Sequence, residues 1–131
     1  MLDILTNEFF NSFIGIYRPY IKLTQPILDQ HQIHTGQWLV LRDIANYQPT
    51  TRKLIKVLLD NGWVMTKTGV DKREKLLSLT DKGQSLFETI NKKVTVIQQD
   101  IIKKTGLTDE QVFDITNAMS QIHEAMIKEE Q

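Results

Sequence analysis

The chain has 131 residues, 40% hydrophobic and 24% charged, with 16 Lys+Arg balancing 16 Asp+Glu, which suits one compact domain of ordinary soluble composition. The lack of cysteine excludes disulfides, thiolate zinc sites, cysteine nucleophiles and thiol redox sensing. No apolar run is long enough to span a bilayer, and "MLDILTNEFF" has neither the basic stretch nor the cleavage site of a signal peptide, so a cytoplasmic protein is expected.

The first segment, about Asp3 to Gln30, places Leu5, Phe9, Phe13, Ile16, Tyr17, Tyr20 and Leu23 on one helical face. Pro19 removes a backbone donor and predicts a kink or a division there, and Pro26 a second irregularity. In "HTGQWLVLRDIANY", Thr35 is a candidate N-cap and Trp38, Leu41, Ile44 and Ala45 form the inward stripe. Pro49 then suits the first turn of a further helix. In that helix Leu54, Val57 and Leu58 are expected to face inward and Thr50, Thr51, Arg52, Lys53 and Lys56 outward, with Asn61-Gly62 as its end.

The period changes after Gly62. "WVMTKT" and "KLLSLT" read as two strands of a hairpin with the charged tip "GVDKRE". Thr80 or Asp81 caps a helix over about Lys82 to Lys104, with Ile90, Val94, Ile97 and Ile101 along one side. After "TGLTDE" comes a last helix carrying Val112, Ile115, Met119, Ile122 and Met126. Both stripes approximate the 3.5-residue repeat of a helix–helix seam. Charge is distributed unevenly along this series. Residues 49–75 hold seven basic and three acidic side chains, whereas residues 1–48 carry a net −1 and residues 76–131 a net −3. Phosphate responds to such a local field more than to the overall balance.

A helix, a basic helix, a two-stranded wing and long helices with seams together resemble the MarR-type winged helix-turn-helix regulators. The most specific residues are "DKREKLLSLTDKG", Asp71 to Gly83, similar to that family's Asp-x-Arg, short strand and Leu-Thr-x-x-Gly. "GQWLVLRDI" resembles the helix before the DNA-reading pair, and "TTRKLIKVLLDNGWV" the recognition helix and its exit. The resemblance implies a mainly α fold with a small β-wing: a winged helix-turn-helix DNA-binding lobe over 34–83 and a helical dimerisation region over 1–33 and 84–131. The sequence departs from the pattern between Gln48 and Pro49, where the family has the first helix of the helix-turn-helix. Either that helix is truly deleted, or a longer form of the chain carries it as a segment that is mobile without DNA. The second reading is preferred, because a deletion would expose Leu54, Val57 and Leu58. An intact mass above 15.2 kDa by about one short helix would identify it.

The expected function is sequence-specific DNA binding by a homodimer that regulates transcription, as a repressor, on a near-palindromic operator. The recognition helix would enter the major groove with its N-terminus leading. Thr50 and Thr51 would donate to phosphate or base edges, Arg52 would pair with guanine, and Lys53 and Lys56 would anchor phosphates. At the wing, the resemblance implies that Asp71 orients Arg73 into the minor groove, while Lys67, Lys72 and Lys75 touch the backbone. The bland alternatives are a solvated basic helix face and a polar turn with a surface ion pair. Leu5, Phe9, Val112, Ile115, Met119, Ile122 and Met126 are the candidate dimerisation residues. Phe13, Tyr17, Tyr20 and Trp38 could line an effector pocket, although such aromatics are more often simply core.

No cofactor or metal is expected, and no enzymatic activity. His31, His34 and His123 are scattered, and neither a phosphate loop nor a nucleophile elbow is present. The expected partners are double-stranded DNA, a second copy of the chain and a possible small-molecule effector, with no membrane. The rival reading is a helical dimeric protein-interaction module that has lost DNA binding; a weaker rival turns the basic patch towards RNA.

Overall fold

A computed structural model of the chain describes residues 2–47, 55–68 and 75–130. Its elements are α1 (Leu2–Gln30), α2 (Thr35–Tyr47), α3 (Ile55–Asp60), β1 (Val64–Thr68), β2 (Lys75–Leu79), α4 (Asp81–Thr105) and α5 (Asp109–Glu130). The fold is mainly helical, with one two-stranded antiparallel sheet. The chain divides into two compact units, residues 1–97 and 98–131.

Local chemistry sets most of the helix ends. Gln32 takes a left-handed backbone, φ 55°, just beyond α1. The Ile33 and Gln32 N–H groups donate back to the Leu28 and Asp29 carbonyls, at 3.2 and 3.1 Å. This closes α1 with paired return bonds of the Schellman kind, sealed by buried Leu28 and Ile33. Pro19 and Pro26 lie inside α1 without dividing it. Each removes one intrahelical bond, at the carbonyls of Gly15 and Lys22, and both of those residues are exposed, so water can satisfy the freed carbonyls.

The N-cap of α2 is His34 rather than Thr35. The imidazole Nδ1 accepts the Gln37 N–H at 3.3 Å, and Gln37 Oε1 accepts the His34 N–H at 3.2 Å. Thr35 Oγ1 instead donates to Gln25 Oε1 of α1 at 3.0 Å. At α5 the same reciprocal box uses Thr108 and Gln111, with bonds of 3.1 and 2.9 Å.

One core serves the 1–97 unit. Leu28 and Ile33 from the end of α1, Trp38, Val40, Leu41 and Ile44 from α2, Leu58 from α3, Trp63 and Val64, and Ile90 and Val94 from α4 are all buried. The sheet adds one face to it: Val64 pairs with Leu79 and Thr66 with Leu77, and both leucines pack on the cluster. Trp38 stacks on Phe87, centroids 5.6 Å apart and planes 18° apart.

Two inward assignments on α3 separate here. Leu58 is fully buried, but Val57 faces solvent, as does Leu59. Leu54 lies outside the described residues. The expectation that loss of a preceding helix would expose Leu58 is therefore wrong: that side chain belongs to the same core as Leu41 and Ile44 of α2.

Candidate nucleic-acid interface

The recognition segment and the wing are adjacent because α3 ends in a tight cap and leads straight into β1. Gly62, at φ 75°, supplies the left-handed residue. Its N–H donates to the Leu59 carbonyl at 3.0 Å, and the Trp63 N–H donates to the Leu58 carbonyl at 2.9 Å. This is the Schellman arrangement again. Trp63 is buried at the turn, so the chain leaves the helix with an apolar anchor. β1 and β2 then run antiparallel, with Lys67 opposite Leu76 and Thr68 opposite Lys75.

The proposed contacts distribute as follows. Lys56 is exposed on α3. Lys67 and Lys75 belong to the paired strands, at the end of the hairpin where β1 stops and β2 starts; their side chains lie outside the described residues. Thr50, Thr51, Arg52, Lys53, Asp71, Lys72 and Arg73 fall in residues 48–54 and 69–74, which also lie outside the described residues. The described α3 and hairpin therefore carry the framework of the basic segment rather than its full set of cations.

Behind the wing, the Leu-Thr-x-x-Gly stretch has a physical reason for each residue. Leu79 packs on the core. Thr80 caps α4 by accepting the Gly83 N–H at 3.0 Å. Any side chain at Gly83 would collide with the Trp63 carbonyl oxygen, so only glycine permits this approach.

The helical faces are less enclosed. On α1, Leu5 is 64% and Phe9 46% exposed. On α5, Ile115, Met119 and Met126 are each 41–47% exposed, while Val112 and Ile122 are partly buried. Of the aromatics considered for an effector pocket, Phe13 and Tyr17 are exposed and Tyr20 is half-buried. Trp38 belongs to the core against Phe87. A broad, shallow cleft of about 620 Å³ lies within the 98–131 unit, lined by Ile102, Leu107, Val112 and Phe113 together with polar Gln98 and Lys103. Sequence reasoning did not single it out; the amphipathic spacing of α4 and α5 was its only signal. Among the described residues no three His, Asp or Glu side chains converge as metal ligands would, and no helix is long and apolar enough to cross a membrane.

No family model matches the chain. An uncharacterised HTH-type transcriptional regulator of Staphylococcus aureus (strain MRSA252) is 45% identical over 142 residues, covering 96% of this chain and 97% of that protein. The structure of Staphylococcus aureus MarR, in complex with salicylate and kanamycin, aligns with a TM-score of 0.80 at 44% identity. It covers 98% of this chain and 96% of that one.

The chain belongs to the MarR family.

A MarR-family regulator from Listeria monocytogenes, solved with a 26mer DNA, has a TM-score of 0.75 at 23% identity, covering 92% of this chain and 89% of that one; it matches the winged-helix fold. Membership makes this chain a DNA-binding transcriptional regulator of the winged helix-turn-helix class. One departure from its relatives is measurable. An alignment of 142 positions that uses 96% of 131 residues, about 126, leaves about 16 positions with no counterpart here. Only residues 48–54 separate α2 from α3.

Proposed function

We propose that this MarR-family chain represses transcription in the cytoplasm as a homodimer on a near-palindromic operator, with no cofactor and no enzymatic activity. The supporting observation is that the segment of net charge +4, residues 49–75, coincides with α3 and its wing. The recognition helix presents the major-groove contacts, and the hairpin reaches the adjacent backbone and minor groove. The open apolar rows on α1 and α5 are the surfaces a second copy would cover. Two such lobes would address half-sites about one helical turn, ~34 Å, apart.

Selection of duplexes from a random pool, followed by titration at several salt concentrations, tests this reading. With four phosphates neutralised per subunit, log K should fall against log salt with a slope of about −7 for the dimer. Arg73→Ala weakens binding, and Arg52→Ala also relaxes base preference, a bidentate guanine contact typically being worth about 1–3 kcal/mol. A flat salt response would refute the mechanism. Preference for RNA over duplex in competition would reassign the basic patch.

The seven residues between α2 and α3 favour a second reading: a dimeric interaction module in which the missing helix has cost the lobe its DNA binding. Both readings give dimers in sedimentation. Only the first gives duplex binding at low salt.

A small-molecule effector is also proposed, since Staphylococcus aureus MarR has been solved with salicylate and kanamycin. Phe13, Tyr17 and Tyr20 are the side chains offered to it on α1. An effector that releases DNA must bind one arrangement of the lobes better than the other.

A further inference from the structure

The exit of α3 and the entrance of α4 meet in one hydrogen-bonded knot. The Thr80 hydroxyl donates to the Gly62 carbonyl at 2.5 Å and accepts the Gly83 N–H at 3.0 Å. The Thr80 N–H donates to the Trp63 carbonyl at 3.1 Å, and the Thr80 carbonyl accepts the Gln84 N–H at 2.8 Å. Beside it, Lys82 Nζ donates to the Asn61 carbonyl at 3.0 Å. Asn61, Gly62 and Trp63 are the three residues that leave the recognition helix, and each gives its carbonyl to Thr80 or Lys82. Gly83 lets the two backbones close to this distance.

A helix cap alone needs only the acceptor half of this arrangement. The donor half fixes the end of one helix against the start of another. The six described residues of α3 hold few internal bonds of their own to set its direction. Its described part is held by Leu58 in the core on one side and by this knot at its end.

We propose that Thr80, assisted by Lys82, is a positioning residue for DNA reading: it ties the direction of the recognition helix to the first turn of α4. This rests on the DNA-binding reading above. Movement of α4 is thereby carried to α3 through the Thr80 hydroxyl, the Thr80 N–H and the Lys82 ammonium, in addition to the apolar core that Leu58 shares with Ile90. The spacing that a dimer accepts between half-sites then depends on the Thr80 hydroxyl.

The test uses the full chain and duplexes selected by the wild type, with half-site separation varied one base pair at a time. Thr80→Val keeps the shape and removes both hydroxyl bonds; Thr80→Ser keeps them. Wild type and Thr80→Ser should share one narrow spacing optimum. Thr80→Val should bind about tenfold more weakly at that optimum and show a flattened spacing profile, at a temperature where both are folded. Lys82→Met should weaken binding by a smaller factor with the salt slope unchanged, which separates positioning from a lost phosphate contact. A Thr80→Val protein that melts earlier but retains the wild-type affinity and spacing profile overturns the proposal and leaves the DNA-binding reading intact. If Thr80→Val does not fold, unchanged affinity and spacing in Lys82→Met overturns it. A wild type that binds no duplex removes the DNA-binding reading itself, before any variant is made.

Discussion

The lobe built on α2 and the helical faces of α1 and α5 are equally amphipathic by spacing, yet they finish in opposite states. In the first, Leu41, Leu58 and Ile90 are wholly buried within one chain. In the second, Phe9, Ile115 and Met126 stand nearly half exposed. A periodic apolar row therefore reports that a face has a use and not which surface covers it. Where three elements converge, as at Leu58, the chain closes over its own side chains. Over the first half of α1, Leu5, Phe9 and Phe13 stay largely exposed and the apolar row is open.

The largest expected difference between the two regions is in truncation. Leu41→Ala should destabilise the chain by about 2–5 kcal/mol, read as a lower urea midpoint, because its site is fully enclosed and leaves a cavity. A cost comparable to that of an exposed position would show the lobe core to be loosely packed. Gly83→Ala should follow, at about 1–3 kcal/mol, since the new methyl meets the backbone carbonyl of Trp63, which cannot rotate away. Thermal melting of Gly83→Ala beside an exposed control, Gly15→Ala, checks this; no neighbour lies within reach of a Cβ at Gly15.

Ile115→Asp sharpens the comparison from the other side. A substitution at this exposed position should change the stability of the isolated chain by less than about 0.5 kcal/mol, while lowering the dimer fraction in sedimentation velocity. Equal dimer content in the variant and the wild type would remove α5 from the proposed interface.

The smallest effect concerns acid. His31 has a pKa below its ordinary value of 6.5, through burial first and then the charge of Lys93. Lys93 Nζ lies 3.1 Å from His31 Nε2 and also donates to Gln30 Oε1 at 3.3 Å. Between the folded and unfolded pKa values the unfolded chain holds the extra proton, so stability falls as pH drops below about 6.5 and levels off beneath the folded pKa. Lys93→Met should make this slope shallower, which a melting series from pH 7.5 to 5 would show.

Much of the fold was legible in the residues because it follows from local chemistry. Gly62 after Asn61 marked the end of α3, "WVMTKT" and "KLLSLT" marked the hairpin, and Thr80 or Asp81 and "TGLTDE" marked helix starts. Capping at His34 was missed because histidine accepts from a helix N–H in only one tautomer, and Thr35 beside it is the commoner cap. The division of α3, with Leu58 inside and Val57 outside, could not be read from spacing, because Val57 and Leu58 stand three and four residues after Leu54 and suit one helical face equally well. Of the proposed interface, Lys56, Lys67 and Lys75 fall on described elements, while Arg52 and Arg73 rest on their place in the motif.

By itself, then, the sequence determined the order of the elements, several of their ends, the basic segment and the family, since these depend on neighbours a few residues apart. Tertiary structure alone decided that the helix at Val57 has one core face, that Gly83 is required by Trp63, and that Thr80 joins two helices. Each of these depends on groups about twenty or more residues apart meeting at van der Waals or hydrogen-bond distance, and no local pattern encodes such a meeting.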